Sequence, residues 1–374
     1  MTRKRARRTL VAGLVAAAGL IGTVPATGAL PAAAATTLQQ VMFVGNNWDG
    51  TVDVIQPSGA YPGLGRINVV PDRAQRLWEI YLNPVKLAFY LGVQQGPGEG
   101  HDQLVDDMYT TPDGSALVVS RPSFADVVSV DLRTGALRWR FPVSGYRADH
   151  MAVSPDGTRV AVSASTSNTV HVLDIVTGRQ VGSFATGDKP HENVFTGGGR
   201  YLWNMSIGEV NTALDEPWLD WTKGDRRITV VDTATFQPVK VIDLLPRLDA
   251  SGRSDLSDAV RPAVCTPDES TLYFQHGLSM SPDGTKVCVA GTMDDYATVV
   301  DRATHTPGAL VTASKPYWAT VSADGRDCVI SESGADRVTA ISFATGQKVA
   351  SVAVGDHPQR VRLGCLPVGW TAPR

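Results

Sequence analysis

YRADHMAVSPDGTRVAVSASTSNTVHVLDIVTGRQVGSFATGDKPHE, residues 146–192, contains one complete structural unit. Met151 to Val153 is a short apolar strand. Ser154-Pro155-Asp156-Gly157 is a turn: Pro presets φ, Asp bonds its own backbone and Gly accepts positive φ. Arg159 to Ala164 alternates as a second strand, and Ser165 to Asn168 turns the chain again. Thr169 to Ile175 and Gln180 to Ala185 follow as third and fourth strands, separated by Thr177-Gly178. Four short β-rich strands joined by tight turns make an antiparallel meander.

The turn recurs. Corners of this kind fall at Asp113, Asp156, Gly198, Asp268, Asp283 and Asp324. Most steps are roughly 40–45 residues, the length of one four-stranded propeller blade. The expected fold is therefore all-β, a seven-bladed β-propeller. Two departures are expected. The step from Asp268 to Asp283 is too short for a blade, so the fifth blade, Pro262 to Gln275, keeps only two strands. At the N-terminus, strands at Gln39 to Asn46, Thr51 to Gln56 and Gly65 to Val70 lack an inner strand. Gln359 to Leu363 supplies it, closing the ring between the two ends of the domain and removing two free sheet edges.

Pro71 to Gln95 breaks the repeat with helical spacing interrupted at Asn83-Pro84, which predicts two short helices inserted between blades. A second insertion, Ile207 to Arg226, carries Trp218 and Trp221, and Arg247 to Asp258 is a polar loop.

The chain has 374 residues, 43% of them hydrophobic, enough for a large core. Its net charge of −3 excludes a basic footprint for nucleic acid. Residues 1–35 read as an export signal: a basic start (MTRKRARR), an apolar run and a small-residue end (LPAAAA). Residues 36–374 form the propeller domain. The expected location is secreted or extracytoplasmic, by the general route or, from Arg7-Arg8, the twin-arginine route. No stable membrane anchor is expected after signal removal. Cys265, Cys288, Cys328 and Cys365 leave two readings open, a bridge or buried free thiols; Cys288 and Cys328 fall on second strands of successive blades.

Candidate chemistry lies just before each corner, where one blade hands over to the next. There stand His101; Arg147, Asp149 and His150; His191 and Glu192; Arg261; His276; Tyr317 and Trp318; and His357 and Arg360. Five of the seven histidines recur at this point of the period. Inner strands begin at the handovers, so these side chains are expected to ring one mouth of a central channel and bind a ligand. His101, His150, His191, His276 and His357 are candidate ligands for a transition metal, with Glu192 or Asp149 completing the shell. Arg147, Arg261 and Arg360 suit an anion instead. The partner is a small molecule or a protein; no cofactor follows from the residues alone. There is no GxSxG elbow, HExxH or phosphate loop with its Lys. Gly96 to Gly100 reads as a flexible loop. Asp106-Asp107 and Asp294-Asp295 do not read as catalytic pairs, because adjacent strand residues point to opposite faces.

The segments SPDGTRVAVSASTSNTVHVLDIVTGRQVGSFATGDKPHE and SADGRDCVISESGADRVTAISFATGQKVASVAVGDHPQR resemble the YVTN (YncE-like) family of secreted seven-bladed propellers. The resemblance implies the fold and leaves function open, since one fold hosts many functions. Similar propellers include heavy subunits of quinoprotein amine dehydrogenases, lactonases and nitrous-oxide reductase. The alternative it implies is a metal-dependent oxidoreductase or a lactonase-like hydrolase at the same mouth. The family also carries a longer segment between Tyr273-Phe274-Gln275 and His276, in line with a shortened fifth blade here.

Overall fold

The computed structural model describes residues 37–209, 217–243 and 275–373, all within one compact unit, Thr36–Arg374. The leader, the loop at 247–258, Arg261, and the fifth-blade strands before Gln275 lie outside the described residues.

The described chain is all-β apart from one helical hairpin. The first sheet contains β1 (Leu38–Asn46), β2 (Thr51–Ile55) and β3 (Gly63–Asn68). The hairpin follows, with α1 (Arg73–Tyr81) and α2 (Pro84–Gln95). The second sheet is β4 (Met108–Thr110), β5 (Ala116–Arg121), β6 (Asp126–Asp131) and β7 (Leu137–Pro142). The third is β8 (Ala148–Val153), β9 (Arg159–Ala164), β10 (Thr169–Asp174) and β11 (Gln180–Ala185). The fourth is β12 (Pro190–Thr196), β13 (Tyr201–Ser206), β14 (Arg227–Asp232) and β15 (Gln237–Asp243). In the fifth, β16 (Gln275–Met280), β17 (Lys286–Gly291) and β18 (Tyr296–Asp301) are flanked by two short pieces, β19 (Thr306–Pro307) and β20 (Val311–Thr312). The sixth is β21 (Pro316–Val321), β22 (Asp327–Glu332), β23 (Arg337–Ser342) and β24 (Lys348–Ala353). The last strand, β25 (Pro358–Pro367), returns to the first sheet.

Every pairing is antiparallel, and β25 lies against β1 from Leu38↔Pro367 to Asn46↔Pro358. The expected pairing of the two ends of the domain in one sheet is therefore present, over a longer strand than the sequence pattern marked. Six meanders with inner strands side by side make a β-propeller-like fold. No helix among the described residues is long and apolar enough to cross a membrane.

The repeated corner is built the same way four times. Thr111, Ser154, Ser281 and Ser322 each donate a hydroxyl to the aspartate two residues on, at 2.5 to 2.7 Å. Each aspartate accepts a backbone N–H from beyond the glycine. The glycine, Gly157 for example, has φ near +70°, a conformation that costs other residues roughly 1 kcal/mol or more.

Between corners, both faces of the middle strands are covered by neighbouring sheets. Apolar clusters fill five of these junctions. Val54, Val119 and Val130 join the first two sheets; Met151, Val162 and Val118 join the second and third; Val172 and Leu202 join the third and fourth. Ile330 and Ala290 join the fifth and sixth, and Val329 and Val44 join the sixth to the first. Each fully buried Val or Ile contributes about 1.5–3 kcal/mol, so sheet-on-sheet packing outweighs any single polar contact.

The hairpin is fixed at both ends. Asn83 accepts N–H bonds from Val85 and Lys86, both at 3.1 Å, and Pro84 opens α2. Asp72, preceding α1, is held by Arg121 of β5, which is fully buried and also pairs with Asp126 at 2.8 Å.

Cys288 and Cys328 form a disulfide between β17 and β22, with Cα atoms 6.2 Å apart, which decides between the two readings for these residues. Cys365 is a free thiol. The bridge closes a 40-residue loop, for which chain entropy gives about 4 kcal/mol. The Cys288→Ala/Cys328→Ala variant is expected to unfold in urea with a free energy lower by about 2–4 kcal/mol, matching native protein measured in reductant.

Candidate functional site

One irregularity repeats in all six inner strands. Between Ala148↔Ala164 and Met151↔Val162, three steps on β8 match two on β9. The same slip occurs at Pro190 to Asn193, Gln275 to Gly277, Pro316 to Ala319 and Pro358 to Val361. In the second sheet it sits just before β4, where Asp106 N donates to Ser120 O and Ser120 N donates to Asp107 O, each at 3.0 Å. These are β-bulges, and a bulge re-aims side chains and suspends strict alternation. The bulged residues are Asp106-Asp107, Asp149-His150, His191-Glu192, Tyr317-Trp318 and Gln359-Arg360. In the fifth sheet the slip brings Gly277 to this level. A Cβ there would lie 2.6 Å from the Trp318 Cα and 2.7 Å from the Ala319 N, so backbone contact between β16 and β21 requires glycine.

A bulge removes ladder hydrogen bonds, and buried backbone groups must find other partners. Short polar side chains on the neighbouring strands provide them. Ser163 donates to His191 O at 2.9 Å, Asn193 to His150 O at 3.2 Å and Asn204 to Glu192 O at 3.2 Å. Ser331 accepts from Trp318 N at 3.0 Å and donates to Gln359 O at 2.5 Å. Ser120 accepts from Asp107 N at 3.0 Å.

The bulged side chains meet where the inner strands converge. His150 Nδ1 lies 3.0 Å from Glu192 Oε2. His191 Nδ1 and His150 Nε2 lie 3.2 and 3.6 Å from the same Asp149 oxygen, Oδ1, and the two imidazole centroids are 3.6 Å apart. Arg147 pairs with the other Asp149 oxygen, Oδ2. Burial works against the Asp149 charge, but Arg147 and His191 prevail and hold this carboxyl below the usual range. Asp106 is the converse case. Burial, reinforced by the Asp149 charge, pushes it up to about 7 despite Arg360 and Arg147. Its Oδ2 has no hydrogen-bond partner among the described residues.

Two guanidiniums come from β25, Arg360 fully buried and Arg362 part-buried. Arg362 makes a two-pronged bond to Asp107, both contacts 2.8 Å. Arg360 stacks over the Trp318 ring at 3.6 Å, and its nearest described carboxylate oxygen, Glu192 Oε2, is also 3.6 Å away.

A cavity of about 1130 Å³ opens over the cluster, with Arg147, Asp149, His191, Tyr317 and Gln359 on its polar side. Ala88, Phe89, Gly92 and Val93 of α2 form an apolar wall, since residues three and four apart share a helix face. The loop after α2 is folded back on the helix: Gly98 N donates to Val93 O at 2.9 Å and Gly100 N to Gln94 O at 2.7 Å. Glu99 then reaches Lys315 across the mouth at 2.7 Å.

The structure thus gathers Arg147, Asp149, His150, His191, Glu192, Tyr317, Trp318 and Arg360 into one cluster. His150, Glu192, Trp318 and Arg360 are not among the cavity walls. His101 and His357 stack on opposite faces of Trp48, each with centroids 3.8 Å apart, and His357 also lines the cavity. Both are candidate metal ligands by sequence, and this stacking separates them from the His150–His191 pair. The His276 side chain and Arg261 lie outside the described residues. Asp106, Asp107, Trp48, Arg362 and the α2 wall were not read as site residues. The sequence sign of Asp106-Asp107 is its placement before a corner, matching Asp149-His150.

The fold and cluster define a propeller-like protein with a cavity on which several polar side chains converge. Neither a scan against protein-family models nor a search of curated proteins finds a match.

His357 offers a test of this geometry. Burial drives its pKa down to about 4, with Glu99 opposing and Lys315 assisting. An unfolded histidine protonates near 6.5 and the native one near 4, so stability falls as pH drops through that window, by about 3 kcal/mol at its end. Buried His171 shifts in the same direction. Urea unfolding at pH 7, 5 and 4 is expected to show a loss that His357→Gln reduces without abolishing. An identical loss in the variant would show that His357 is not buried as described.

Proposed function

We propose that the chain is an exported seven-bladed propeller of the YVTN type that binds a small polar molecule at the mouth of its central channel. The observation that carries this reading is the cavity itself. Its volume of about 1130 Å³ is at the upper end for small-molecule sites, and such sites join apolar walls to a few convergent polar groups. Here the apolar wall is α2, and the polar groups are Arg147, Asp149, His191, Tyr317 and Gln359. The export reading rests on residues 1–35. A macromolecular ligand is the weaker reading, because the Glu99–Lys315 bridge spans the mouth.

Gly92 gives a direct test. A Cβ built there meets nothing within 4 Å, and the residue faces the cavity from mid-helix. Gly92→Trp fills the mouth while raising helix propensity by a few tenths of a kcal/mol. In a thermal-shift screen of small organic acids, amines and sugars, a ligand at 100 times its Kd stabilises by about 2.7 kcal/mol. Such a hit is expected for native protein and absent for Gly92→Trp. A hit that persists in the variant places the ligand elsewhere and refutes the reading.

A further inference from the structure

We propose that Asp149, His150 and His191 hold a divalent transition-metal ion, with Zn²⁺ the best match, at the inner end of the cavity. The three residues each offer one ligand atom, and these atoms all lie within 4.8 Å of one another. Zinc–nitrogen and zinc–oxygen bonds of about 2.0–2.2 Å in a tetrahedron put neighbouring ligand atoms roughly 3.3–3.5 Å apart. The distances from Asp149 Oδ1 to His191 Nδ1 and His150 Nε2 are 3.2 and 3.6 Å. Two edges of the tetrahedron therefore stand at near-final length before any ion enters.

The surroundings match a metal shell as well. A ligating histidine commonly donates its other ring N–H to a carboxylate, which fixes the tautomer and aims the free nitrogen at the metal. Glu192 Oε2 stands 3.0 Å from His150 Nδ1 and leaves Nε2 facing Asp149. Arg147 holds the second oxygen of Asp149, so Oδ1 is presented singly. Two imidazoles and one carboxylate leave a fourth position, and Asp149 and His191 both line the cavity. An open position of this kind takes water or an exogenous ligand.

Charge decides whether a dication is tolerated beside two guanidiniums. Asp107 and Arg362 neutralise each other directly. What remains is three carboxylates, Asp106, Asp149 and Glu192, against Arg147 and Arg360. Asp106 is the carboxyl of the three with no guanidinium paired to it among the described residues, 3% exposed, with its Oδ1 3.8 Å from His150 Nε2. A buried carboxylate without a close cation is costly, and a dication bound by its neighbours supplies one. The donor set, two nitrogens and an oxygen, suits borderline ions and not Ca²⁺ or Mg²⁺, which take oxygen shells.

The test uses untagged full-length protein, stripped with chelator and titrated calorimetrically with Zn²⁺, then with Co²⁺ followed by absorption. One equivalent of each is expected, with the intense visible bands of four-coordinate Co²⁺. His191→Gln is expected to weaken Zn²⁺ binding by more than about 100-fold, and Glu192→Gln by about 10–100-fold. His101→Gln, on the far side of Trp48, is expected to leave it unchanged. His191 is partly exposed, so His191→Gln carries the test even where Asp149→Asn fails to fold. No saturable binding by native protein, or an affinity that His191→Gln leaves intact, overturns the proposal. The titration contains no organic ligand, so its outcome is separate from that of the small-molecule reading.

Discussion

One extra residue per inner strand governs this molecule. An antiparallel strand in strict register sends alternate side chains to opposite faces, and inner strands built that way would present one residue each at any level. The bulge places two consecutive residues of each strand in the convergence zone, and the strands repeat it at a common level. Crowding follows. Carboxylates, imidazoles and guanidiniums are forced into a buried volume where each must find a counter-charge. The backbone freed by the bulge must also be re-bonded, which is why Ser120, Ser163, Asn204 and Ser331 are buried in the second strands of their sheets. Polar second-strand residues and polar first-strand residues are thus two sides of one constraint.

Closure of the ring is tied to the same zone. The strand that completes the first sheet, β25, brings Arg360 and Arg362, and both guanidiniums land among carboxylates from β8, β12 and the approach to β4. Until β25 docks, Asp107 and Glu192 lack their cations. The last strand is therefore at once the seal of the fold and the main source of positive charge in the site, and sheet closure and electrostatic balance are a single event.

Much of the fold was legible because turns are local. Pro, Asp and Gly at fixed offsets report the backbone directly, so the period, the helical hairpin broken at Asn83-Pro84 and the return of the last strand could be read without contacts. The site was legible in part. Proximity to the corners picked out Asp149, His150, His191 and Glu192, which do meet. The same rule picked His101 and His357, whose rings are taken up by Trp48, a partner in a β1–β2 turn that no period marks. Alternation argued against Asp106-Asp107, and alternation fails at a bulge. A bulge has no composition of its own. Its trace is indirect, in the serines near the ends of LVVSR, VAVSA and VISE, and that trace acquires meaning only when strands are aligned by their corners.

The hairpin α1–α2 is held to the second sheet by the Arg121–Asp72 pair and by an apolar cluster that includes Ile80, Tyr90 and Phe124, and touches the site with a single helical face. Floor and wall therefore come from different stretches of the chain. Change in residues 84–100 can reshape the mouth without disturbing one strand register, while the charged floor depends on residues from five of the described sheets. A change of shape at the mouth then requires altering only a short insert, with the charges beneath it left in place.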